Sequence, residues 1–206
     1  MSERLPRDFY ARDTLAVARD LLGCTLVHAA PEGRTSGRIV EVEAYHGEDD
    51  PACHAAAGRT ARTAPLYGPP GYSYVYLIYG MYHCLNAVTR AEGEPSAVLI
   101  RALEPLEGRE MMRARREERR RGGDGRGVPD SDLARGPGRL CVALGVTLDQ
   151  NRLDLTSERL WIERGPRKKA VWTPRVGVTV GADRLWRCFA EDSPSVSRSR
   201  LNGVRR

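Results

Sequence analysis

Three stretches of this chain carry apolar and aromatic residues in strand-like patterns, and they constrain the fold more than any other feature. They are residues 37–45, 72–89 and 97–105. Because the connections between strand-like segments are mostly short, antiparallel pairing is favoured. A helix is predicted over 14–22, after a possible Asp13 cap. The pattern indicates the α+β class, with a mostly antiparallel sheet and surrounding helices.

Weaker local patterns predict the remaining elements. They give a charged helix over 106–121, a short helix from Pro137 to Gly145, and strands over 24–29, 153–163 and 171–180. Gly- and charge-rich residues 122–135 predict a mobile loop, and residues 198–206 a frayed tail. Since the sequence has no internal repeat and no segment that indicates a second domain, we expect one domain over 1–206.

The net charge of +6 favours a polyanionic partner. Lys168 and Lys169 are the only lysines, so chemistry that needs a side-chain amine has two candidates. The five cysteines lack a C-x-x-C pair and the four histidines are scattered, so we expect no disulfide framework, metal or other cofactor.

No apolar run approaches the roughly 18 residues of a membrane span, and the N-terminal segment lacks the apolar centre of a secretory signal. We therefore expect a cytoplasmic protein without membrane contact, associated with the nucleoid if bacterial.

Strict alternation in GRIVEVEAY (37–45) would place Val40, Val42 and Ala44 on one face, and Ile39, Glu41, Glu43 and Tyr45 on the other. The paired glutamates leave several interpretations open. They could be acids of a solvated face, or one could activate a water molecule. Carboxyls about 6.6 Å apart along a strand also resemble the acid and base of an inverting sugar hydrolase.

The segment GYSYVYLIYGMYHCLN (71–86) contains five of the eight tyrosines, namely Tyr72, Tyr74, Tyr76, Tyr79 and Tyr82. One interpretation is a β-rich core that uses aromatic area. The other follows from a turn predicted at Tyr79-Gly80, which would expose an aromatic ring. In a basic protein, such a ring suits stacking on nucleic-acid bases or wedging into a groove.

Seven segments, taken in order, resemble the alkyladenine (3-methyladenine) DNA glycosylase family found in animals and many bacteria. They are GRIVEVEAY (37–45), ACHA (52–55), YVYLIYGMYHCLN (74–86), AVLIRALEPLEG (97–108), GPGRLC (136–141), WIERGP (161–166) and RVGV (175–178). The resemblance implies a single DNA glycosylase domain with a curved antiparallel sheet and a protruding β-hairpin that enters the minor groove.

The resemblance also implies roles for individual residues. Glu43 matches the general base that activates water, and Arg101 matches a residue that helps to hold that water. Tyr45, His54 and Tyr76 match the walls around a flipped base, while Asn86 matches the pocket residue that excludes 2-amino purines. Glu41 has no catalytic counterpart, which favours a structural or orienting role.

The same comparison places the DNA wedge in the hairpin. Tyr79 matches the tip residue that fills the gap left by the flipped nucleotide, with Met81 and Tyr82 as neighbours. Arg139, at the start of the predicted helix 137–145, is a candidate phosphate contact. His83 and the Ser-rich segment 193–197 depart from the vertebrate pattern.

The implied reaction is removal of alkylated, and further of deaminated or etheno, purines from double-stranded DNA in base excision repair. Since both lysines fall outside the pocket motifs, we expect a monofunctional enzyme that leaves an abasic site. We also expect the enzyme to be a monomer. Two rivals stay open: a nucleic-acid-binding module without catalysis, and a carbohydrate hydrolase that uses both Glu41 and Glu43.

Overall fold

A computed structural model describes residues 3–120 and 127–203. Eight strands are present in these ranges: β1 (Thr25–Ala30), β2 (Gly33–His46), β3 (Ser73–Ile78), β4 (Tyr82–Val88), β5 (Ser96–Glu107), β6 (Leu160–Glu163), β7 (Ala170–Thr173) and β8 (Arg187–Ala190). The helices are α1 (Arg7–Tyr10), α2 (Thr14–Leu21), α3 (Arg109–Glu118), α4 (Asp130–Leu133) and α5 (Pro137–Leu144). Short 3-10 helices at His54–Ala57, Ala64–Tyr67, Leu148–Gln150 and Arg200–Gly203 complete the described elements.

The strands form one curled sheet with the order β3-β4-β5-β2-β1-β6, and the α+β prediction is confirmed. The long strand β2 pairs with β1 through its first half and with β5 along most of its length. The second half of β2 extends past the end of β1 and pairs there with β8, which in turn pairs with β7. All of these pairings are antiparallel. Residues 41–45 of β2 therefore lie between β5 and the C-terminal strands.

Two local predictions are confirmed at the residue level. Helix α2 is capped by Asp13, whose carboxylate accepts hydrogen bonds from the backbone N–H groups of Leu15 and Ala16, both at 3.0 Å. The hairpin between β3 and β4 turns at Tyr79 and Gly80, which have positive φ values of 53° and 67°. Two successive positive φ values are typical of the tight hairpin turn that matches the twist of the strands.

Strand β2 is irregular at Val40, where its register with β5 shifts. Ile39 packs into the main core with Val42 and Ala44, whereas Val40 packs into a small separate cluster with Ala102. The prediction that Val40 shares a face with Val42 and Ala44 is therefore wrong. An extra residue at a β-bulge reverses the alternation that the sequence pattern assumes.

The charged helix predicted over 106–121 is shorter, because α3 begins at Arg109 and β5 continues to Glu107. The prediction that Pro105 ends the strand is wrong. Pro105 pairs with Gly37 next to a register shift, a position at which a strand tolerates the missing N–H group.

The strand predicted over 153–163 is reduced to β6 because a turn occupies its first half. The Asp154 carboxylate accepts hydrogen bonds from the backbone N–H and the hydroxyl of Thr156, at 2.9 and 2.7 Å. An aspartate that binds its own following backbone favours a turn over a strand.

The strand predicted over 171–180 ends at Thr173, since Pro174 follows and cannot donate to the ladder. Strand β8 was not predicted, because the tetrapeptide RCFA is too short for a periodicity signal.

Part of the predicted loop 122–135 lies outside the described residues. Its described part contains α4, in which Leu133 is buried. In the predicted tail 198–206, Asn202 accepts a hydrogen bond from Arg187 Nη2 at 2.9 Å, and residues 204–206 lie outside the description. The mobility of both segments stays a prediction. None of the helices in the described ranges combines the length and apolarity that a membrane span requires.

Candidate active site

A cavity of about 320 Å³ opens where β2, β3, β4 and β5 meet the 3-10 helix at His54 and the loop after β7. Five residues proposed from the sequence for the base pocket or its chemistry line this cavity: Tyr45, His54, Tyr76, Asn86 and Arg101. Tyr79 lies at its rim. The volume falls at the lower end of the range for small-molecule sites, which suits a single heterocyclic base.

The Glu43 carboxylate lies directly behind this lining and is fully buried. Its Oε2 accepts hydrogen bonds from the Tyr45 hydroxyl at 2.9 Å and from Arg101 Nη1 at 3.1 Å. Its Oε1 accepts a hydrogen bond from the backbone N–H of Val176 at 2.7 Å. Because a carboxylate offers about four acceptor positions, this arrangement fixes the group and leaves acceptor capacity for one water molecule.

The Arg101 guanidinium bridges two buried carboxylates. Its Nε donates to Glu41 Oε1 at 2.9 Å while its Nη1 donates to Glu43. Burial opposes the charge of Arg101, but the two carboxylates outweigh burial and raise the pKa of Arg101 above its ordinary value. Arg101 is therefore a permanent cation at the floor of the cavity.

Three aromatic rings form one wall of the cavity. The ring centroids of His54 and Tyr76 lie 4.5 Å apart in an edge-to-face arrangement, and those of Tyr74 and Tyr76 lie 5.3 Å apart. The Nδ1 atom of His54 is 2.9 Å from the Tyr74 hydroxyl. Burial, with a smaller contribution from Arg62, lowers the pKa of His54, so the wall is uncharged at neutral pH.

Asn86 is positioned by the pairing of β3 with β4, in which it lies opposite Tyr74. Its side-chain Nδ2 donates to the Tyr74 backbone carbonyl at 2.9 Å, and the residue is buried. This bond holds the Asn86 amide in one orientation at the lining of the cavity.

The hairpin carries its most exposed aromatic side chain at the tip. Tyr79 is 83% exposed and Met81 is 52% exposed, whereas Tyr82 is half-buried. Arg119, which caps the C-terminus of α3, donates to the Met81 carbonyl and lies over the Tyr82 ring. The hairpin is thus braced from one side by α3, and Tyr79 projects beyond the brace.

Helix α5 supports the hairpin from a second direction. Gly138 lies so close to Tyr82 that a Cβ atom at this position would approach the Tyr82 Cβ within 2.9 Å. Arg139, the next residue, is exposed at the first turn of α5. Met81 and Tyr82 do not line the cavity, and Arg139 lies on the surface near the hairpin.

Sequence reasoning missed the residues that hold the loop after β7 against Glu43. Arg175 and Asp50, both almost completely buried, form a two-pronged ion pair with distances of 2.5 and 2.8 Å. The Arg175 guanidinium also lies 4.7 Å from the centroid of the Tyr45 ring. In the sequence, only the RVGV motif (175–178) pointed to this loop, and it gave no role to Arg175 or Asp50.

Within the described ranges, no group of three or more His, Cys, Asp or Glu side chains could hold a metal ion. The five cysteines are buried and unpaired, and two of them, Cys53 and Cys84, line the cavity.

Comparison with known proteins gives a consistent result. Residues 8–194 match the family model described as methylpurine-DNA glycosylase. A protein of Methanocella arvoryzae, named "Putative 3-methyladenine DNA glycosylase", is 52% identical over 94% of this chain and 96% of the relative. Proteins of the same name from Clostridium acetobutylicum and Bacillus cereus are 46% and 44% identical, over 94% of this chain and 97% and 98% of theirs.

Proposed function

Because the chain belongs to the methylpurine-DNA glycosylase family and is thus an N-glycosyl hydrolase, we propose that it flips a damaged purine from duplex DNA into the aromatic cavity. There it hydrolyses the bond between the base and deoxyribose and leaves an abasic site. The observation that carries this proposal is the Glu43 carboxylate, held by three donors behind the aromatic lining.

Flipping is required because a glycosidic carbon cannot be attacked inside stacked DNA. Extruding the nucleotide costs a few kcal/mol, and least for a damaged or mispaired base. A ring that occupies the vacant position offsets part of this cost. The exposed Tyr79 on its braced hairpin is suited to that role.

The lining suits alkylated purines, which carry positive charge. Aromatic faces attract a cation by about 0.5–2 kcal/mol, and the rings of His54, Tyr74 and Tyr76 carry no charge of their own. The Arg101 cation at the floor of the cavity is paired with two carboxylates, Glu41 and Glu43. A cationic base also leaves without being protonated, so one carboxylate suffices where ordinary glycosidases use two.

Glu43 would take a proton from the attacking water, and its negative charge would stabilise the sugar as positive charge develops there. Arg101 and the Val176 N–H would keep its oxygens aligned toward that water. Hypoxanthine and ethenoadenine are neutral and additionally need a proton on the leaving base. They form the second substrate class that we propose.

We propose a monofunctional reaction without strand cleavage, since a Schiff base needs an amine at the sugar. The ammonium of Lys168 lies 3.0 Å from Asp192 and that of Lys169 lies 3.4 Å from Glu191. Neither residue lines the cavity. We expect strand breakage to appear only after alkaline treatment of the product, and to be measurable on the same denaturing gel.

The test of the function is release of free base from duplexes that carry a single 7-methylguanine, 3-methyladenine, hypoxanthine or ethenoadenine. Release of an alkylated purine, with a monomer in sedimentation, is the expected result. Binding without release of any of the four would favour the rival DNA-binding module. All three hydrogen-bond donors to Glu43 line the cavity, whereas only Arg101 does so among the three donors to Glu41. Glu41 is thus farther from the cavity than Glu43, which disfavours a sugar hydrolase with two catalytic carboxylates.

Replacing the wedge gives a separate prediction. Tyr79→Ser should slow single-turnover excision by about 10-fold or more, because the few kcal/mol of unstacking would lose the contribution of the ring. Leu106→Ser is the matched control, since Leu106 is also exposed but lies at the far end of β5. Equal single-turnover rates for both variants and the wild type would contradict the wedge role.

A further inference from the structure

Glu41 is a fully buried carboxylate that the proposed reaction does not use. Its Oε1 accepts hydrogen bonds from Arg101 Nε at 2.9 Å and from Arg187 Nε at 2.7 Å. Its Oε2 accepts one from the backbone N–H of Ser197 at 2.8 Å. Burial disfavours the charge, but Arg101 and Arg187 outweigh it and lower the pKa of Glu41, so the group is an anion.

Arg101 connects Glu41 to the reacting carboxylate. The Nε and Nη1 atoms of one planar guanidinium contact Glu41 and Glu43, respectively. A planar fork that is held at one edge by Glu41 can present its other edge to Glu43 in only one orientation. The position of Arg101 over Glu43 therefore depends on Glu41.

The regular pairing of β2 with β5 is interrupted at Glu41. The register of β2 with β5 shifts on both sides of Glu41, and the pairing passes from Glu41–Ala102 to Val42–Ile100, which leaves Arg101 without a direct partner. Bulges of this kind redirect side chains, and they are frequent next to active sites. The irregularity directs Glu41 and the Arg101 guanidinium toward the same side of the sheet.

The C-terminal segment fixes the other end of Glu41. The Ser197 N–H contacts the carboxylate directly, and Asn202 Oδ1 accepts a hydrogen bond from Arg187 Nη2 at 2.9 Å. Thr173 Oγ1 accepts another from Arg187 Nη1 at 3.0 Å. Ser197 and Asn202 lie beyond residue 194, where the match to the family model ends.

We propose that Glu41 is a positioning residue, which is held by Arg187 and by the segment 195–203 and which aligns Arg101 on Glu43 for the attack of water. The proposal rests on the proposed function, since it concerns the same carboxylate. A purely structural role is a poorer account, because burying charges gives little net stability compared with apolar residues of similar size.

The experiment compares Glu41→Gln with Val40→Ala in the full chain. Val40 is the adjacent buried residue, so its truncation disturbs the same bulge without changing charge. The substrate is a duplex with one 7-methylguanine, used under single-turnover conditions with saturating enzyme at neutral pH. Affinity is measured separately with a duplex that contains a tetrahydrofuran abasic analogue.

Glu41→Gln should lower the maximal excision rate by about 10- to 100-fold, the effect of a small misplacement near the reacting atoms. Its amide NH2 would face one of the three donors, so the guanidinium must shift. Affinity for the abasic analogue should change less than twofold, so the loss should lie in the rate and not in binding. Val40→Ala should keep nearly the wild-type rate.

Glu41→Asp keeps the charge and shortens the side chain. Its maximal rate should also be lowered, because the shorter side chain cannot reach all three donors. If Glu41→Gln does not fold, a wild-type rate for folded Glu41→Asp overturns the proposal. A wild-type maximal rate for folded Glu41→Gln, or a loss of affinity as large as the loss of rate, also overturns it. Failure of the proposed function would appear differently, as no base release by the wild type.

Discussion

Glu43→Gln is expected to lower the single-turnover rate of base release by about 10²- to 10⁴-fold, the range of a lost general base. An amide cannot accept the proton of the attacking water, and it has no negative charge to stabilise the developing positive charge on the sugar. DNA affinity should stay within about a factor of two, because the fully buried carboxylate does not contact the duplex surface. The measurement is excision from a 7-methylguanine duplex, with affinity from fluorescence anisotropy.

The amide also creates a hydrogen-bond conflict that the experiment must control. The Glu43 oxygens face three donors, on Tyr45, Arg101 and Val176, and a glutamine offers one oxygen and one NH2 group. Tyr45 can reverse its hydroxyl, but Arg101 or Val176 is left facing a donor. A moderate loss of stability is expected, so thermal unfolding must show that the variant is folded at the assay temperature.

Glu48→Gln is the matched control. Glu48 is an exposed carboxylate that, like Glu43, accepts a hydrogen bond from a tyrosine hydroxyl, here that of Tyr67 at 2.5 Å. It does not line the cavity. Its replacement should leave excision unchanged. Substantial activity of folded Glu43→Gln would remove Glu43 from the role of base and leave the reaction without an assigned carboxylate.

The sequence predicted the strands that carry the site because their apolar alternation extends over many residues. It did not predict β8, the late start of β6 or the early end of β7, since four-residue strands have almost no periodicity. Pro105 illustrates a different failure. The rule that proline ends a strand holds for regular pairing, and the register shift at Gly37 exempts this position.

The lining residues could be proposed because the motifs of a known family assigned them. The bulge at Val40 could not be predicted, since nothing in a single sequence marks where β2 and β5 shift register. The contacts that orient the site from a distance were missed for another reason. Arg175, Arg187 and Ser197 lie more than 130 residues from their partners on β2, and no local pattern reports such contacts.

Arg175→Met is expected to lower the free energy of unfolding by about 3–5 kcal/mol, the cost of leaving one partner of a buried ion pair uncompensated. Asp50 would keep the backbone N–H groups of His46 and Ala52, both at 3.2 Å, but would lose both prongs of the guanidinium. Since domains are stable by about 5–15 kcal/mol, the loss is a large share of the total. Urea unfolding at pH 7 measures it.

Two further variants isolate the ion pair. Arg164→Met removes an exposed arginine that lies 3.3 Å from Glu3, and it should cost no more than about 1 kcal/mol. The double variant Asp50→Asn with Arg175→Met removes both charges, and it should be more stable than Arg175→Met because no unpaired charge stays buried. A double variant as unstable as the single one would show that lost packing, rather than charge, causes the effect.

The pH dependence gives the direction of the charge effect. Burial opposes ionisation of Asp50, but Arg175 outweighs burial and lowers the pKa of Asp50. The ion pair therefore stabilises the fold at pH values above the ordinary pKa of an aspartate, and this contribution is lost as the pH falls below that pKa. That ordinary value is about 3.9. In Arg175→Met, Asp50 keeps two backbone N–H donors and Arg184 Nη1 at 3.6 Å, but it loses the partner that most lowers its pKa. The pKa of Asp50 is therefore higher in the variant than in the wild type, and its protonation stabilises the variant at a higher pH. The stability difference between the two should therefore narrow as pH falls from 7 toward 4.5. A constant difference would mean that Arg175 stabilises the loop through its contacts with Tyr45 and Trp186 rather than through Asp50.

In either case Val176, the next residue, should lose its fixed position on Glu43, so excision should slow even in the folded fraction.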